Sequence, residues 1–577
     1  MMAAASSPTS TPRKKVREGP VLPMDIWKLI AQEIASRNDL GHLVVCARLS
    51  REMARESLPV LYGIHEQSIA INGDDLDEEA ALGKSVGLWR SIIASSLGET
   101  LYQYCSWIKA LKLGNLYSCL EDLERGSNAA LRARFFSHPL QGFYIQRNRT
   151  RKQQLDRNAV IVKVSDSIIK YMDETASDES KHVMLGTLEG YHLPTANLEN
   201  WVSKLSLLAS LVVVDGSVLT SGVARVIREN CPKFRDLECY FCQGPSVDEQ
   251  LAGFFSSLKR DSVESFTIRS RNDLCSKTFE ALTISHSRSL RRLTLQDLDR
   301  VALLALPRLS SCVDLEKLVL EGGWGASTFQ WEDESLREMK EWLKRCKRLK
   351  ELELTIIAKA TEILNEVLRH GDQAISLTSL TLKLVDHKPE FYQSLASQTN
   401  LRRLTLKIVD DSILGATDGR RDLFVNALCK MEHLRELDTN ELFTSADIEK
   451  ISRSTHKLEE LVLNGDIIRD AFIKELSRMK HLKSINIFGP SSITPASLKL
   501  LVKEFERHKD EIDSALHDGL LIWIANQMSE VYFPSSEEFL LTEWVRDSFG
   551  GKFDIMYRRD PGESDEPQES DNTDQDL

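Results

Sequence analysis

Cys239 and Cys242 stand with two residues between them, the spacing at which two thiolates grip one side of a zinc ion. A tetrahedral site needs a second such pair or a nearby pair of histidines, and the sequence supplies neither; the thirteen histidines form no close ligand pair. The two thiols therefore read as packing groups, with zinc as the alternative. Gly322-Gly323-Trp324-Gly325 has the glycines of a phosphate cradle but not its lysine or its strand-to-helix setting, and reads as a turn. No Gly-x-Ser-x-Gly elbow occurs. Asp410-Asp411 has the makings of an acid pair or of solvated charges at a strand end, and Cys105 and Cys119 lie among aromatic or apolar residues that favour a core role over a nucleophile. No catalytic residue, cofactor or metal is expected, so the chain reads as a non-enzyme.

The elements that position these residues must come from a chain of 577 residues with a net charge of −12, 42% hydrophobic and 28% charged residues. That length implies several domains or an elongated repeat array. The acidic balance argues against nucleic acid, whose phosphates call for clustered Lys and Arg. No apolar run reaches the length of a membrane span, and Met1 to Thr11 has no secretory core, so neither membrane nor export is expected. Ten cysteines scattered along the chain suit reduced thiols in cytoplasm or nucleus. Pro12-Arg13-Lys14-Lys15-Val16-Arg17 reads as an import signal or as an ordinary charged leader. From Asp560 to Leu577 acidic residues recur without Lys or Arg, which predicts a solvated tail over 557–577; residues 1–19 are expected as a disordered leader.

Near the start, Pro23 fits the first turn of a helix in which Ile26, Ile30 and Ile34 recur every four residues beside Trp27 and Leu29. Asn38-Asp39 supplies a turn and a cap, and Leu40, Leu43, Val44 and Ala47 mark a second helix. Two such helices have more apolar surface than they can hide alone. Leu22-Pro23, Ile26, Ile30, Asp39-Leu40, Leu43 and Cys46, followed by Ala54 and Leu58-Pro59-Val60-Leu61-Tyr62, resemble the F-box of fungal-type F-box proteins with leucine-rich repeats. The match covers residues 20–63; the Trp that the animal-type motif carries shortly after the Cys is replaced here by Arg48-Leu49-Ser50-Arg51. The resemblance implies docking on a Skp-family adaptor, and through it on a cullin scaffold, by Leu22, Pro23, Ile26, Trp27, Ile30, Leu40 and Leu43. The plainer reading is a helical cap on a repeat array.

The rest of the chain repeats an apolar-x-x-apolar-x-apolar frame that starts at Leu208, Phe234, Val263, Leu290, Leu315, Leu349, Leu377, Leu401, Leu434, Leu458 and Leu482, in steps of 24 to 34 residues. That is leucine-rich-repeat spacing, and Cys231 to Cys242 resembles the cysteine-containing subtype that accompanies F-boxes. Leu298, Gly323, Val409, Asp466 and Pro490 stand where a regular array would place Asn or Cys, so the solenoid is expected to be irregular. The fold class expected is α/β: an irregular, horseshoe-like leucine-rich-repeat solenoid over 206–518, preceded by a small all-α F-box module. Residues 64–205 are expected as linker and irregular first part of the solenoid, with loops around Asp173 to Lys181, and 519–556 as a helical cap opened by a capping box at Ser535 to Glu538.

The resemblance implies the substrate-recognition subunit of a cullin-based ubiquitin ligase, with the repeats holding a protein client of unknown identity; the alternative is a repeat scaffold that works without a ligase. Outward-facing strand residues Arg291, Arg292, Thr294, Glu316, Lys317, Arg402, Arg403, Thr405 and Lys407 are the candidate client contacts, or simply solvated sheet residues.

Overall fold

The computed structural model describes residues 23–557 except 71–76, 148–153, 177–182, 191–192, 324, 326–328, 370–374, 386–387, 409–418, 442, 465–467, 490, 512–518 and 527–532. The leader, Leu22, Trp324, Val409, Asp410-Asp411, Asp466, Pro490 and the acidic tail lie outside the described residues. The chain divides into two units, residues 1–193 with 200–209 and residues 194–199 with 210–577.

The first unit is mainly helical. Helix α1 spans Met24–Ser36, α2 Leu40–Leu49 and α3 Arg51–Ile64. Pro23 sits one position earlier than expected, as the N-cap of α1. The turn expected at Asn38-Asp39 is present: Asn38 takes a positive φ of 54°, and the Asp39 carboxylate accepts from the His42 N–H at 3.0 Å, filling one of the orphan donors of a helix start. Ser50 does the same for α3 through the Met53 N–H at 3.1 Å.

Residues 64–205, expected as linker and irregular solenoid, hold a helical body. Helix α4, Glu78–Ser96, buries Val86, Trp89, Ile92 and Ile93 completely, against the helices Leu113–Glu124 and Arg157–Ala176. Asp173 to Ala176, expected in a loop, form the last turn of the latter helix. The only strands paired in parallel within this unit's described residues are Ala110–Lys112 and Thr187–Gly190. The Arg90 guanidinium ties α4 down by donating to the carbonyls of Phe135 at 2.6 Å and His138 at 3.0 Å.

The second unit is a parallel sheet whose strands follow chain order: Ser210–Asp215, Asp236–Cys242, Ser265–Asn272, Arg292–Leu298, Lys317–Gly322, Glu351–Thr355, Ser379–Val385, Arg403–Ile408, Glu436–Thr439, Glu460–Asn464, Ser484–Gly489, Leu521–Asn526 and Lys552–Tyr557. A helix separates each strand from the next, and successive helices touch. This is the strand-and-returning-helix stack that the repeating frame predicts. The register is the frame itself. Leu293 pairs with Leu318 and Leu295 with Leu320, and all four are fully buried. Each such side chain contributes roughly 1.5–3 kcal/mol by leaving water, and it leaves water only because the neighbouring repeat covers it.

Residues 519–556, expected as a helical cap, instead carry one helix, Ser535–Phe549, between two strands that extend the sheet. The capping box expected at Ser535 to Glu538 does not form: Pro534 is the N-cap, with no side-chain cap bond. A true capping box sits at Thr444 and Asp447. Elsewhere the caps cross repeats. The helix Ser276–His286 has no cap from Cys275; the Asp248 carboxylate of the preceding helix accepts from the N–H groups of Cys275 (2.9 Å), Lys277 (3.2 Å) and Thr278 (3.0 Å) instead. Asp470 likewise accepts from the Thr494 N–H at 2.8 Å ahead of the helix Pro495–Glu511.

Candidate interaction surfaces

In the first unit the expected docking residues part into two groups. Leu43 is fully buried and holds the helices together from inside, so it leaves the surface set. Trp27, Ile30 and Leu40 are half-buried, while Pro23 is exposed and Ile26 keeps 38% of its surface in water. Beside them stand large apolar residues outside the expected set: Leu29 at 59% exposure, Val44, Val45 at 53% and Leu49 at 66%. Ile26 and Leu29 are three apart on α1, and Val45 and Leu49 four apart on α2, so each pair shares a helix face. The run Leu43-Val44-Val45 carries a legible signal, since three consecutive apolar residues cannot all turn to one side of a helix.

An open groove of about 490 Å³ adjoins this region, lined by Val44, Ala47, Ala54, Leu58 and Leu61 of α2 and α3 and by Tyr102 and Tyr104. Its floor is fixed. The Tyr62 hydroxyl on α3 lies 2.6 Å from the Ser91 hydroxyl on α4, and its ring is 4.8 Å from that of Tyr104. Burial pushes the Tyr62 phenol up to about 12.

In the second unit alternate strand positions form an open face. Glu351 there is held by Arg403 at 3.1 Å and Lys317 at 3.3 Å, Asp236 by Arg292 at 2.9 Å, Glu238 by Arg269 at 2.7 Å and Asp438 by Lys407 at 2.9 Å. Exposed pairs of this kind contribute less than about 1 kcal/mol each; their effect is to neutralise the face. Of the expected client contacts, Arg292, Lys317, Arg403 and Lys407 belong to this ladder. Arg291 pairs with Asp314 at 3.3 Å and Glu316 with Arg348 at 3.3 Å. Thr294 and Thr405 are half-buried, and Arg402 is exposed with no ion pair among the described residues.

Farther along the same face the pattern changes. Glu436 and Glu460 are register partners on adjacent strands, neither with an ion pair among the described residues. Burial and the neighbouring Glu460 hold the Glu436 carboxyl above the usual range. Beyond them come Phe488 and Trp523, whose rings meet edge-to-face at 4.6 Å, and the exposed Leu521 (45%) and Met556 (55%). Sequence reasoning missed this stretch, although Leu520 to Ala525 is an unbroken apolar run.

Seven of the ten cysteines are buried, while Cys46, Cys275 and Cys429 are half-buried. Cys239 and Cys242 are fully buried free thiols, and the hydrogen bond between them together with burial raises the Cys239 thiol well above its ordinary value. Burial also pushes Cys119 and Cys346 up to about 12, so thiolate chemistry is suppressed there. Among the described residues no cluster of His, Cys, Asp and Glu is placed to hold a metal, and no helix is long and apolar enough to cross a membrane.

No known protein family matches the sequence, and no curated protein does. Among solved structures, the yeast Rad7 and Elc1 complex contains a chain similar to this one at 12% identity and a TM-score of 0.37, over 78% of this chain and 90% of the other. A chain of the TLR13–ssRNA13 complex is similar at 12% identity and a TM-score of 0.31, over 67% of this chain and 52% of the other. Both scores are too low for a shared fold to follow, and neither carries a function to this chain.

Proposed function

We propose that this chain is a non-catalytic adaptor: α1 and α2 dock on a Skp-family protein tied to a cullin scaffold, in cytoplasm or nucleus, and the repeats hold a protein client for ubiquitin transfer. The single observation that carries the reading is the uncovered apolar surface of α1 and α2. In the repeats the frame leucines are sealed by their neighbours, whereas Ile26, Leu29, Val45 and Leu49 remain in water on helices whose sequence resembles an F-box. Concentrated apolar exposure of that kind marks a contact site. Catalysis then consists of proximity, because a client lysine held beside a charged ubiquitin carrier reacts at raised effective concentration without any reactive residue of this chain.

Calorimetric titration of the full-length chain with a purified Skp-family adaptor tests the docking step. Micromolar or tighter binding is expected, weakened at least roughly tenfold by Ile26→Ala together with Leu29→Ala. No binding by the unmodified chain, or binding indifferent to the double change, removes the ligase from the proposal and leaves a repeat scaffold.

A further inference from the structure

We propose that the last strands of the second unit's open sheet face, from Glu436 to Met556, dock an extended client segment that presents a lysine or arginine three or four residues from a bulky apolar side chain. This deepens the reading of the repeats as a client holder; it does not depend on the adaptor.

Three features point to that chemistry. Elsewhere the face neutralises its carboxylates: Asp236, Glu238, Glu351 and Asp438 each hold a cation from a nearby strand. A client charge gains little there, since it must displace a partner already in place. Glu436 and Glu460 break the rule. They face each other across adjacent strands without closing an ion pair among the described residues, and burial with the repulsion of Glu460 raises the Glu436 carboxyl even though Arg403 on the preceding strand offsets part of the effect. One cation from outside would relieve both. Next to them Phe488, Trp523, Leu521 and Met556 gather two aromatic rings and two exposed aliphatic side chains on three successive strands of the face. Trp is the side chain most enriched among residues that dominate binding energy.

The spacing follows from the sheet. Glu460, Ser484 and Leu521 are successive register partners. With adjacent strands roughly 4.8 Å apart, the carboxylate strand and the Leu521–Trp523 strand are separated by about 10 Å, or about 14 Å from Glu436. An extended chain advances about 3.4 Å per residue, so a segment crossing the strands covers the gap in about three to four residues. A bare hydrophobic segment would leave the carboxylates unmatched. An acidic or phosphate-rich one would be repelled.

Fluorescence anisotropy with labelled Gly/Ser peptides tests this on the full-length chain. The probes carry one Arg and one Leu at gaps of one, three, four or seven residues, with matched peptides in which Arg becomes Glu. Binding is expected only with Arg, tightest at three or four, and weaker at higher salt. Trp523→Ala should weaken it at least roughly tenfold. Glu436→Gln with Glu460→Gln should abolish the preference for Arg over Glu. Leu521→Ala, at an exposed position, is a second variant, with circular dichroism checking that each one folds. Absence of binding by every Arg peptide, indifference to gap, or unchanged affinity in folded Trp523→Ala and Leu521→Ala chains overturns the proposal. A dimer seen by sedimentation that Trp523→Ala dissolves would likewise overturn it, by assigning the patch to a second copy. Adaptor binding without peptide binding defeats this inference alone; Trp523-dependent peptide binding without adaptor binding defeats only the ligase.

Discussion

Helices α1 and α2 and the leucines of the repeat frame are built from the same side chains, yet the two regions end in opposite states. Leu318 lies between Leu293 and Leu352 on its two neighbouring strands and sees no water, whereas Leu29 and Leu49 are more than half exposed. A repeat supplies its neighbour with the apolar surface that the neighbour lacks, so stacking completes the core. Among the described residues no copy of α1 or α2 does the same. Burial in the first case reports folding, and exposure in the second is what the proposed docking rests on.

The contrast makes the same substitution a test with two readouts. Leu318→Ala should cost about 2–5 kcal/mol in urea unfolding, through lost transfer energy and a cavity between two strands; a cost below about 1 kcal/mol would mean that the stack tolerates gaps and that burial there says little. Tyr62 sharpens the boundary of the helical module, because it ties α3 to α4. Its folded phenol is raised, so its stabilisation is complete below the unfolded value near 10 and is lost as pH rises toward about 12. Urea midpoints should therefore fall over that window, and Tyr62→Phe should remove up to about 2 kcal/mol of the fall; an unaltered pH profile would detach the hydroxyl from the packing. Leu29→Ala with Leu49→Ala should leave stability within about 0.5 kcal/mol of the starting chain while weakening adaptor binding roughly tenfold. A large loss of stability instead would place these residues in a core. The smallest effect belongs to the paired sheet face: Arg292→Ala should shift stability by less than about 1 kcal/mol and leave peptide binding at Trp523 unchanged, and a larger loss of binding would move the contact site toward the ladder.

Much of the second unit was legible because its period is carried by large residues. Leu290, Leu315 and Leu349 each open a frame whose next apolar residues prove to be the buried, register-paired positions of a strand. The last two strands escaped for a specific reason. Where other repeats open on Leu, Phe or Val, these place Gly519 and Gly550, with φ of +74° and +62°, so the frame loses its first hydrophobic mark although Ile522, Ile524, Phe553 and Ile555 keep the rest. The helical body of the first unit was hidden differently. Its long helices bury Val86, Trp89, Ile92, Ile161 and Ile168 on broad faces, without a repeat to announce them. On the interaction surfaces, helical periodicity found Ile26 but also chose the sealed Leu43, since spacing alone does not say which of two apolar faces meets the chain itself. The choice of strand charges as client contacts had the same blind spot: their ionic partners lie 23 to 56 residues away in sequence, on or beside other strands.

Asp248 has a consequence for how far these repeats can be treated as interchangeable modules. Its carboxylate serves the start of a helix that belongs to the following repeat, and Asp470 does so again farther on. Excising the repeat that carries Asp248 would behead the next one as well, stripping acceptors from three amides at once. Shuffling, duplicating or trimming the array at those seams therefore demands that donor and recipient travel together, so the heritable unit there is a pair of repeats.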